Sequence, residues 1–338
     1  MHPTIAGIMA TQHGLVTRRQ AIEADLTAEA VDRLARTGAW VTVRRGIYAD
    51  AELWKSLARP EERQLLRDRA ASLRISRPHV MSHDSAALEL GMDILRARDQ
   101  VTHVTRPGVV GSHLRYGVKH HLAPYRPDQV MEVNGRRVLD PARTAADITR
   151  EHGLQAGVVA FDSALRLGCT TFDLDAACAP MRNWPNVTVV RAARRLADPG
   201  AESVGETLAR LLVTELGLGR PETQFGLTDG TRTVWCDLRI GRQLFEFDGK
   251  LKYLRADEGG VATLDPTQVL WDEKQRQDWV CGFKLGMSRI VWDDLWGTRR
   301  RLALARMARE YADTAARFGE SIEDLAPFIV RRSGRRAS

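Results

Sequence analysis

Hydrophobic and polar residues alternate with two different periods near the N-terminus. Apolar residues recur at helical spacing in three short segments, residues 3–12, 18–24 and 28–36. Thr17 and Thr27 precede the second and third segments and are suited to cap them. Residues 40–48 then alternate as two short strands around a glycine turn. Three helices followed by a β-hairpin predict a winged helix-turn-helix over residues 1–52.

The middle of the chain, residues 53–197, mixes both periods. The predicted helices are residues 54–73, with a break or a fresh start at Pro60, and residues 82–91, 140–150 and 156–167. Two segments, residues 101–105 and 117–121, alternate like strands. The pattern predicts a mixed α/β unit.

A turn sequence at residues 198–200, Asp-Pro-Gly, marks the start of a third region. The elements predicted after it are a helix at 204–216, strands at 222–227, 231–240 and 243–248, a helix at 267–285, and a strand at 288–292. A last helix is predicted over residues 300–326. The order helix, three strands, helix, strand describes one mixed α/β core.

Length and composition fit several folded domains. The chain has 338 residues, of which 43% are hydrophobic and 28% charged, which is typical of a globular protein. We therefore expect a mixed α+β fold with domains at residues 1–52, 53–197 and 198–326. No apolar run approaches the roughly 18 residues that span a bilayer, and the N-terminus lacks a signal-peptide pattern, so we expect a cytoplasmic protein without membrane contact.

The charge balance permits nucleic-acid binding without requiring it. Lys and Arg exceed Asp and Glu by 50 to 43, for a net charge of +7. Four arginines fall in the last eight residues, so residues 327–338 are predicted to be a basic, disordered tail. The four cysteines are scattered without a CxxC pair, which supports neither a disulfide framework nor structural zinc.

Arginines of the first domain are candidate DNA contacts. The third helix carries Arg33 and Arg36, which could reach bases or phosphates in the major groove, and Arg44 and Arg45 lie where a wing would touch the DNA backbone. Acidic residues on the same helix would repel phosphate, so a winged helix used for protein contacts is the alternative.

Carboxylates occupy unusual positions in the hairpin of residues 234–250. Asp237, Glu246 and Asp248 lie on strands, where β-branched or aromatic residues are preferred. A hairpin that brings them together concentrates negative charge, which a divalent cation or a proton would offset. The sequence therefore suggests a Mg²⁺ site. The alternative is an edge hairpin whose acids face solvent or pair with Arg239 and Arg242.

Histidines of the middle region offer a second possible metal site. They are His83, His103, His113, His120 and His121. Their spacings do not place two of them on one helical face, and the adjacent pair would point to opposite sides of a strand. The spacing therefore argues against a histidine metal site.

The first domain resembles a known family. The pattern GLVTRRQAIEADLTAEAVDRLARTGAWVTVRRGIYA, at residues 14–49, resembles the N-terminal winged-helix domain of AbiEi-type antitoxins of type IV toxin–antitoxin systems. Phrases at residues 140–147 and 161–166 resemble the region that accompanies this domain. The resemblance implies a DNA-binding antitoxin or autorepressor, whose partner would be a nucleotidyltransferase-like toxin. The oligomeric state does not follow from it.

The third region resembles the PD-(D/E)xK nuclease superfamily, in particular its very-short-patch-repair-like branch. The resemblance is carried by the element order, by EFDGKLKY at residues 246–253, and by RIVW at residues 289–292. It implies an αβββαβ restriction-endonuclease-like core that hydrolyses DNA phosphodiester bonds with Mg²⁺ or Mn²⁺. The alternative is a non-enzymatic antitoxin with a degenerate nuclease fold.

The nuclease resemblance assigns roles to particular residues. Asp237, Glu246 and the main-chain carbonyl of Phe247 would hold the metal ion, which would activate an attacking water. Glu206 would complete the site or orient that water, unless it caps its helix with Ser203, in which case Glu202 would substitute.

One position departs from the superfamily pattern. Asp248 stands where the pattern has a lysine that stabilises developing charge. Lys250, Lys252 or Lys274 could supply that charge instead. The alternative is that Asp248 marks an altered or inactive site.

Overall fold

A computed structural model of the chain describes residues 2–95, 100–249 and 266–331. The chain divides into two compact units: unit 1 is Met1–Ala160 with Cys169–Ala192, and unit 2 is Phe161–Gly168 with Ala193–Ser338. Helices and three sheets confirm the predicted mixed α+β class. Within the described residues, no helix is both long and apolar enough to cross a membrane. The finer domain division at residues 52 and 197 stays a prediction.

The N-terminal part of unit 1 contains three helices and a small sheet. Its elements are α1 (Pro3–Thr11), β1 (Leu15–Thr17), α2 (Arg18–Glu23), α3 (Ala28–Arg36), β2 (Trp40–Arg44) and β3 (Ile47–Asp50). The antiparallel sheet has the order β1-β3-β2. Thr17 and Gln20 form a capping box that starts α2, and Thr27 caps α3, as predicted. The three-residue strand β1 was not predicted.

The rest of unit 1 is built around a six-stranded sheet. The helices are α4 (Ala51–Ser56), α5 (Pro60–Arg74), α6 (His83–Leu90), α7 (Pro141–His152), α8 (Leu154–Arg166), α9 (Thr171–Cys178) and α10 (Val187–Leu196). The strands are β4 (Val80–Met81), β5 (Thr102–Thr105), β6 (His113–Arg115), β7 (Val118–His121), β8 (Val130–Val133) and β9 (Arg136–Leu139). Their order is β6-β7-β5-β4-β9-β8. The division between the units falls within α8 and α10.

Unit 2 is built around a five-stranded sheet. Its elements are α11 (Val204–Thr214), β10 (Glu222–Thr228), β11 (Thr233–Ile240), β12 (Gln243–Asp248), α12 (Pro266–Cys281), β13 (Gly286–Val291), α13 (Gly297–Phe318) and β14 (Ile329–Val330). The sheet order is β13-β12-β11-β10-β14, with β12 and β13 parallel. The predicted order of helix, three strands, helix and strand is therefore present. Phe225, Val234, Leu244 and Val280 belong to its core.

Two predictions near the C-terminus were wrong. The helix predicted over residues 300–326 ends at Phe318, because Gly319 has a φ of 75° that a helix cannot continue. The predicted disordered tail begins too early, since Ile329–Val330 forms an edge strand that pairs with β10. Residues 332–338 of that predicted tail lie outside the described residues.

An aspartate in the core of unit 1 has an unusual environment. Asp68 on α5 is fully buried, and its Oδ1 accepts hydrogen bonds from Thr102 Oγ1 at 2.8 Å and Gln64 Nε2 at 2.7 Å. Burial raises the pKa of this carboxyl to about 7 despite those hydrogen bonds. The folded state therefore favours the protonated carboxyl, and its stability falls as the pH rises from about 4, the usual value, to about 7.

We expect Asp68→Asn to stabilise unit 1 at pH 8 by about 2–4 kcal/mol and to have little effect at pH 4. The amide oxygen can accept the same two hydrogen bonds and carries no charge to bury. Urea unfolding at both pH values measures the difference. Asp128→Asn, which changes an exposed carboxylate, is the control. A pH dependence of stability that is identical in Asp68→Asn and the unchanged protein would contradict this account.

Candidate functional site

The predicted acidic residues of unit 2 line one cavity of about 310 Å³. Its lining residues are Glu202, Gln224, Trp235, Asp237, Glu246, Phe247, Asp248, Glu273, Arg276 and Arg289. The structure thus brings together three predicted carboxylates, the predicted carbonyl donor Phe247, and the substitute acid Glu202. The cavity combines several anionic side chains with two guanidinium groups.

The strands β11 and β12 position these carboxylates. Leu238 pairs with Phe245, so Asp237 and Glu246 are the next residues along their strands. Asp237 Oδ2 accepts a hydrogen bond of 2.8 Å from the main-chain nitrogen of Phe247, which fixes that carboxylate against β12. The start of α11 also approaches β12 closely, because a Cβ added to Gly205 would lie 2.0 Å from the Phe247 ring. A side chain at this position would push α11 away from the cavity.

Arg276 on α12 is the main cationic partner of Glu246. Its Nη2 lies 3.1 and 3.2 Å from the two carboxylate oxygens, and the same nitrogen donates to the main-chain oxygen of Trp235 at 2.7 Å. Burial alone would lower the pKa of Arg276, but the charge and hydrogen bond of Glu246 outweigh it and the net pKa is raised. Arg276 therefore stays charged and connects α12 to both strands.

Arg289 on β13 supplies the second positive charge. The parallel pairing of β12 and β13 places Arg289 at the cavity, because Glu246 and Arg289 are register partners. Its guanidinium lies 3.0 Å from Glu273 Oε1 and 3.5 Å from Asp248 Oδ2. Arg289 thus stands beside Asp248, the position where the superfamily pattern has a lysine, and Arg276 lines the same cavity.

Neither Arg276 nor Arg289 was predicted to belong to the site. The spacing of Glu273 and Arg276 on one helical face was an available signal. The placement of Arg289 needed the strand register.

The remaining predicted residues of this site are arranged differently. Glu206 belongs to the start of α11, where it accepts hydrogen bonds from Glu202 N at 2.8 Å and Ser203 Oγ at 2.9 Å. This is the capping role that the sequence left open, and Glu206 still lies 3.5 Å from the cavity residue Gln224. Lys274 is exposed on α12. Lys250 and Lys252 lie outside the described residues.

The arginines proposed as alternative partners of the hairpin acids bind other carboxylates. Arg239 Nε donates to Glu222 at 3.0 Å, and Arg242 forms an ion pair with Asp324. Glu246 and Asp248 contact Arg276 and Arg289 instead. The alternative in which the hairpin acids pair with Arg239 and Arg242 is therefore wrong.

The donors around the cavity fit a hard divalent cation in kind. Asp237, Glu246 and the Phe247 carbonyl offer oxygen atoms, which Mg²⁺ and Mn²⁺ prefer. Both oxygens of Glu246 accept from Arg276, so an ion here would share that carboxylate with the guanidinium or displace it.

A basic groove lies at the N-terminal part of unit 1. It is lined by Thr17, Arg18, Arg19, Gln20, Ile22, Glu23, Arg45, Gly46, Ile47, Tyr48, Leu73 and Arg74. Arg19, Arg45 and Arg74 are exposed. Arg19 pairs with Glu23 of the same groove, and Arg18 pairs with Asp32 on α3. The predicted contact Arg45 is thus joined by three arginines that the sequence did not single out.

The other predicted DNA contacts fall elsewhere. Arg33 and Arg36 are exposed in the last turn of α3. Arg44 is half-buried and donates from Nη2 to the main-chain oxygen of Tyr116 at 2.5 Å.

Comparison with known proteins finds a family match within the N-terminal part of unit 1. Residues 9–49 match the AbiEi antitoxin family, described as a transcriptional regulator. Two uncharacterized proteins of Mycobacterium tuberculosis, MT2308 of strain CDC 1551 and Rv2248 of strain H37Rv, are each 27% identical over 188 residues. The match covers 54% of this chain and 64% of either relative, so the chain spans slightly less than two thirds of the length of these relatives. The AbiEi resemblance is thereby confirmed for residues 9–49, and the nuclease resemblance of unit 2 stays a prediction.

The clustering of three histidines in unit 1 was not predicted from the sequence. The spacing argued against a metal site, yet His83, His103 and His121 are buried and their ligand atoms lie within 4.8 Å of one another. His120 instead stacks on His113, so the adjacent histidines of β7 do take different partners. Spacing missed the cluster because its members come from three separate elements, α6, β5 and β7.

We expect the Glu246–Arg276 pair to have a coupling energy of about 1–3 kcal/mol, because both side chains are mostly buried and their hydrogen bonds are charge-assisted. A double-mutant cycle with Glu246→Gln and Arg276→Met, followed by urea unfolding, measures it. The control cycle uses Asp293→Asn and Arg299→Met, an exposed pair whose coupling should be about 0–1 kcal/mol. Equal coupling in the two cycles would contradict the central role of Arg276.

Proposed function

We propose that the protein is a DNA-binding transcriptional regulator of the AbiEi antitoxin kind, acting in the cytoplasm. Residues 1–52 would form its winged helix-turn-helix, and residues 53–197 a middle α/β domain. The match of residues 9–49 to the antitoxin family supports this proposal. The partners would be duplex DNA and, as in that family, a nucleotidyltransferase-like toxin.

The basic groove carries the DNA-binding proposal. Arg45 precedes Gly46, whose φ of 74° forms the tight turn between β2 and β3, so the turn presents a cation at the tip of the hairpin. Arg19 and Arg74 are exposed along the same groove. A row of exposed guanidinium groups on one face matches the phosphates of a DNA strand.

The two other sets of arginines take different parts in this proposal. Arg33 and Arg36 are exposed at the end of α3 and would contact bases or phosphates from the major groove. Arg44 is already bonded to Tyr116, so we assign it to holding the hairpin in place.

We expect Arg45→Ala combined with Arg74→Ala to weaken binding to duplex DNA and to reduce the slope of log K against log salt by about 2, since each phosphate contact contributes about one unit. Fluorescence anisotropy over a salt series, with the fragment upstream of the protein's own gene, measures both quantities. Arg44→Ala should change the salt slope little.

The matched control removes two charges elsewhere in unit 1. Arg59→Ala with Arg126→Ala lowers the net charge equally, but these arginines pair with Glu62 and Asp128 outside the groove. An equal loss of affinity in both double variants would show that the groove has no particular role.

A second candidate function is favoured by the acidic cavity. We propose that residues 198–326 form a PD-(D/E)xK nuclease-like domain that hydrolyses DNA phosphodiester bonds with Mg²⁺ or Mn²⁺. The supporting observation is that Asp237, Glu246, Phe247 and Asp248 line one cavity. The two functions are compatible, because DNA binding by residues 1–52 does not depend on hydrolysis.

The residues of the cavity would divide the work of hydrolysis. Asp237, Glu246 and the Phe247 carbonyl would hold the metal ion, which when bound lowers the pKa of a water and offsets phosphate charge. Arg276 and Arg289 would bind the phosphate oxygens, in the role of the lysine that Asp248 replaces. Lys274, or Lys250 and Lys252 beyond the described residues, remain alternatives for that role.

Two glutamates at the start of α11 complete the proposed site. Glu202 lines the cavity and would orient the attacking water, while Glu206 holds the main-chain nitrogen of Glu202. Water would lose a proton to solvent as it attacks the phosphorus, the bond from phosphorus to the leaving oxygen would break, and that oxygen would take a proton from solvent.

We expect the protein to cleave supercoiled plasmid in roughly 5 mM Mn²⁺ or Mg²⁺, a concentration suited to weak carboxylate sites. Asp237→Ala should reduce the cleavage rate by about 100-fold or more. Calorimetry should show Mn²⁺ binding that the same change abolishes. Glu222→Gln is the control, because this carboxylate pairs with Arg239 outside the cavity lining. Uncut DNA together with absent Mn²⁺ binding would leave the regulator role alone.

A further inference from the structure

Three buried histidines of unit 1 meet in space. His103 on β5 and His121 on β7 lie on adjacent parallel strands, where His103 pairs with Lys119 and His121 is two residues further along, on the same face. His83 comes from the start of α6, which packs against β5. The imidazole of His83 stacks on that of His121 with ring centroids 3.8 Å apart. The fold therefore brings together three buried imidazoles from three different elements.

The nitrogens of this cluster have the separation that a shared ion requires. His103 Nδ1 and His121 Nε2 are 3.0 Å apart, and one ligand atom of each of the three histidines lies within 4.8 Å of the others. Two nitrogens bound to one tetrahedral zinc ion at about 2.0–2.1 Å are about 3.3 Å apart. Small shifts of these two rings would let a single ion replace the contact between His103 and His121, and the ring of His83, which is stacked on His121, would have to turn to direct a nitrogen at that ion.

His83 is held in a way that suits a ligand. Its backbone has a φ of 51°, in the left-handed region that residues other than glycine rarely adopt. Its Nδ1 lies 3.0 Å from the hydroxyl of the buried Ser82, which fixes the ring and makes Nε2 the nitrogen available to an ion. Metal-bound histidines commonly have their other nitrogen oriented by such a partner.

From this arrangement we propose that unit 1 binds a zinc-class transition-metal ion through His83, His103 and His121. Imidazole nitrogens select Zn²⁺, Co²⁺, Ni²⁺ and Cu²⁺ over Mg²⁺ or Ca²⁺, so the site belongs to a different metal class from the acidic cavity. Three protein ligands leave a fourth position for water or another ligand. The site does not rest on DNA binding or on hydrolysis.

The surrounding charges allow a divalent cation despite nearby arginines. Asp84 lies 3.0 Å from His152 Nε2, and these two side chains form a second close group with His103. Lys119 pairs with Glu151, and Arg143 and Arg150 both pair with Asp147. Each of these cations thus has a carboxylate partner, although Arg143 and Arg150 share one.

The test is calorimetric titration of the full chain with Zn²⁺ and Co²⁺ at pH 7.5, with Co²⁺ absorption as a report on nitrogen ligands. The protein used for this titration has the substitutions Asp237→Asn and Glu246→Gln, so that metal binding in the acidic cavity does not contribute to the signal. We expect one ion per chain, and at least about 100-fold weaker binding when His121 is changed to Gln. Ser82→Ala should weaken binding by about 10-fold through loss of ring orientation.

The neighbouring residue provides the matched control. His120→Gln changes a histidine on the same strand that stacks on His113 and lies outside the cluster, so Zn²⁺ affinity should be unchanged. Circular dichroism without metal checks that each variant folds. If His121→Gln does not fold, the Zn²⁺ affinity of Ser82→Ala tests the proposal.

The outcomes separate the proposal from its alternatives. Absence of Zn²⁺ and Co²⁺ binding overturns it, as does an equal loss in His120→Gln and His121→Gln. Binding that none of these changes affects assigns the ion to another site and also overturns it.

Discussion

Charged groups that leave water must find a partner of opposite charge, and this requirement connects the elements of both units. In unit 2, Arg210 on α11 meets the buried Asp162, and Arg276 joins α12 to the two central strands through Glu246 and the Trp235 carbonyl. In unit 1, Arg69 on α5 pairs with the buried Glu89 on α6. Removing one member of such a pair leaves an uncompensated charge in a poorly solvated place.

The same requirement shapes the acidic cavity. Carboxylates side by side repel each other, so the strands can hold Asp237, Glu246 and Asp248 together only where cations approach. Arg276 and Arg289 meet this need through the protein itself. A bound Mg²⁺ would meet it in another way, by taking oxygen atoms that the arginines now contact. The arginines that stabilise the fold without metal are thus the groups that a metal-dependent reaction would redirect toward phosphate.

The sequence predicted local features well because they depend on local physics. Thr17 and Thr27 cap their helices, and the alternation of β11 and β12 placed the carboxylates on neighbouring strands. Short strands such as β1 and β4 were missed, since two or three residues carry no usable period. The arginines of the cavity and the histidine cluster depend on register and packing between distant segments, which spacing along the chain does not contain.

The histidines show how far this limit extends. His120 and His121 face opposite sides of β7, and that observation, correct in itself, argued against a metal site. The spacing compares only histidines that lie on one element. The parallel pairing of β5 and β7 brings His103 close to His121, and the start of α6, where His83 has a positive φ, adds the third histidine. Oxygen donors in one unit and nitrogen donors in the other therefore differ in the ions they select. The two proposed sites would therefore favour different metal ions, although carboxylates can also bind Zn²⁺.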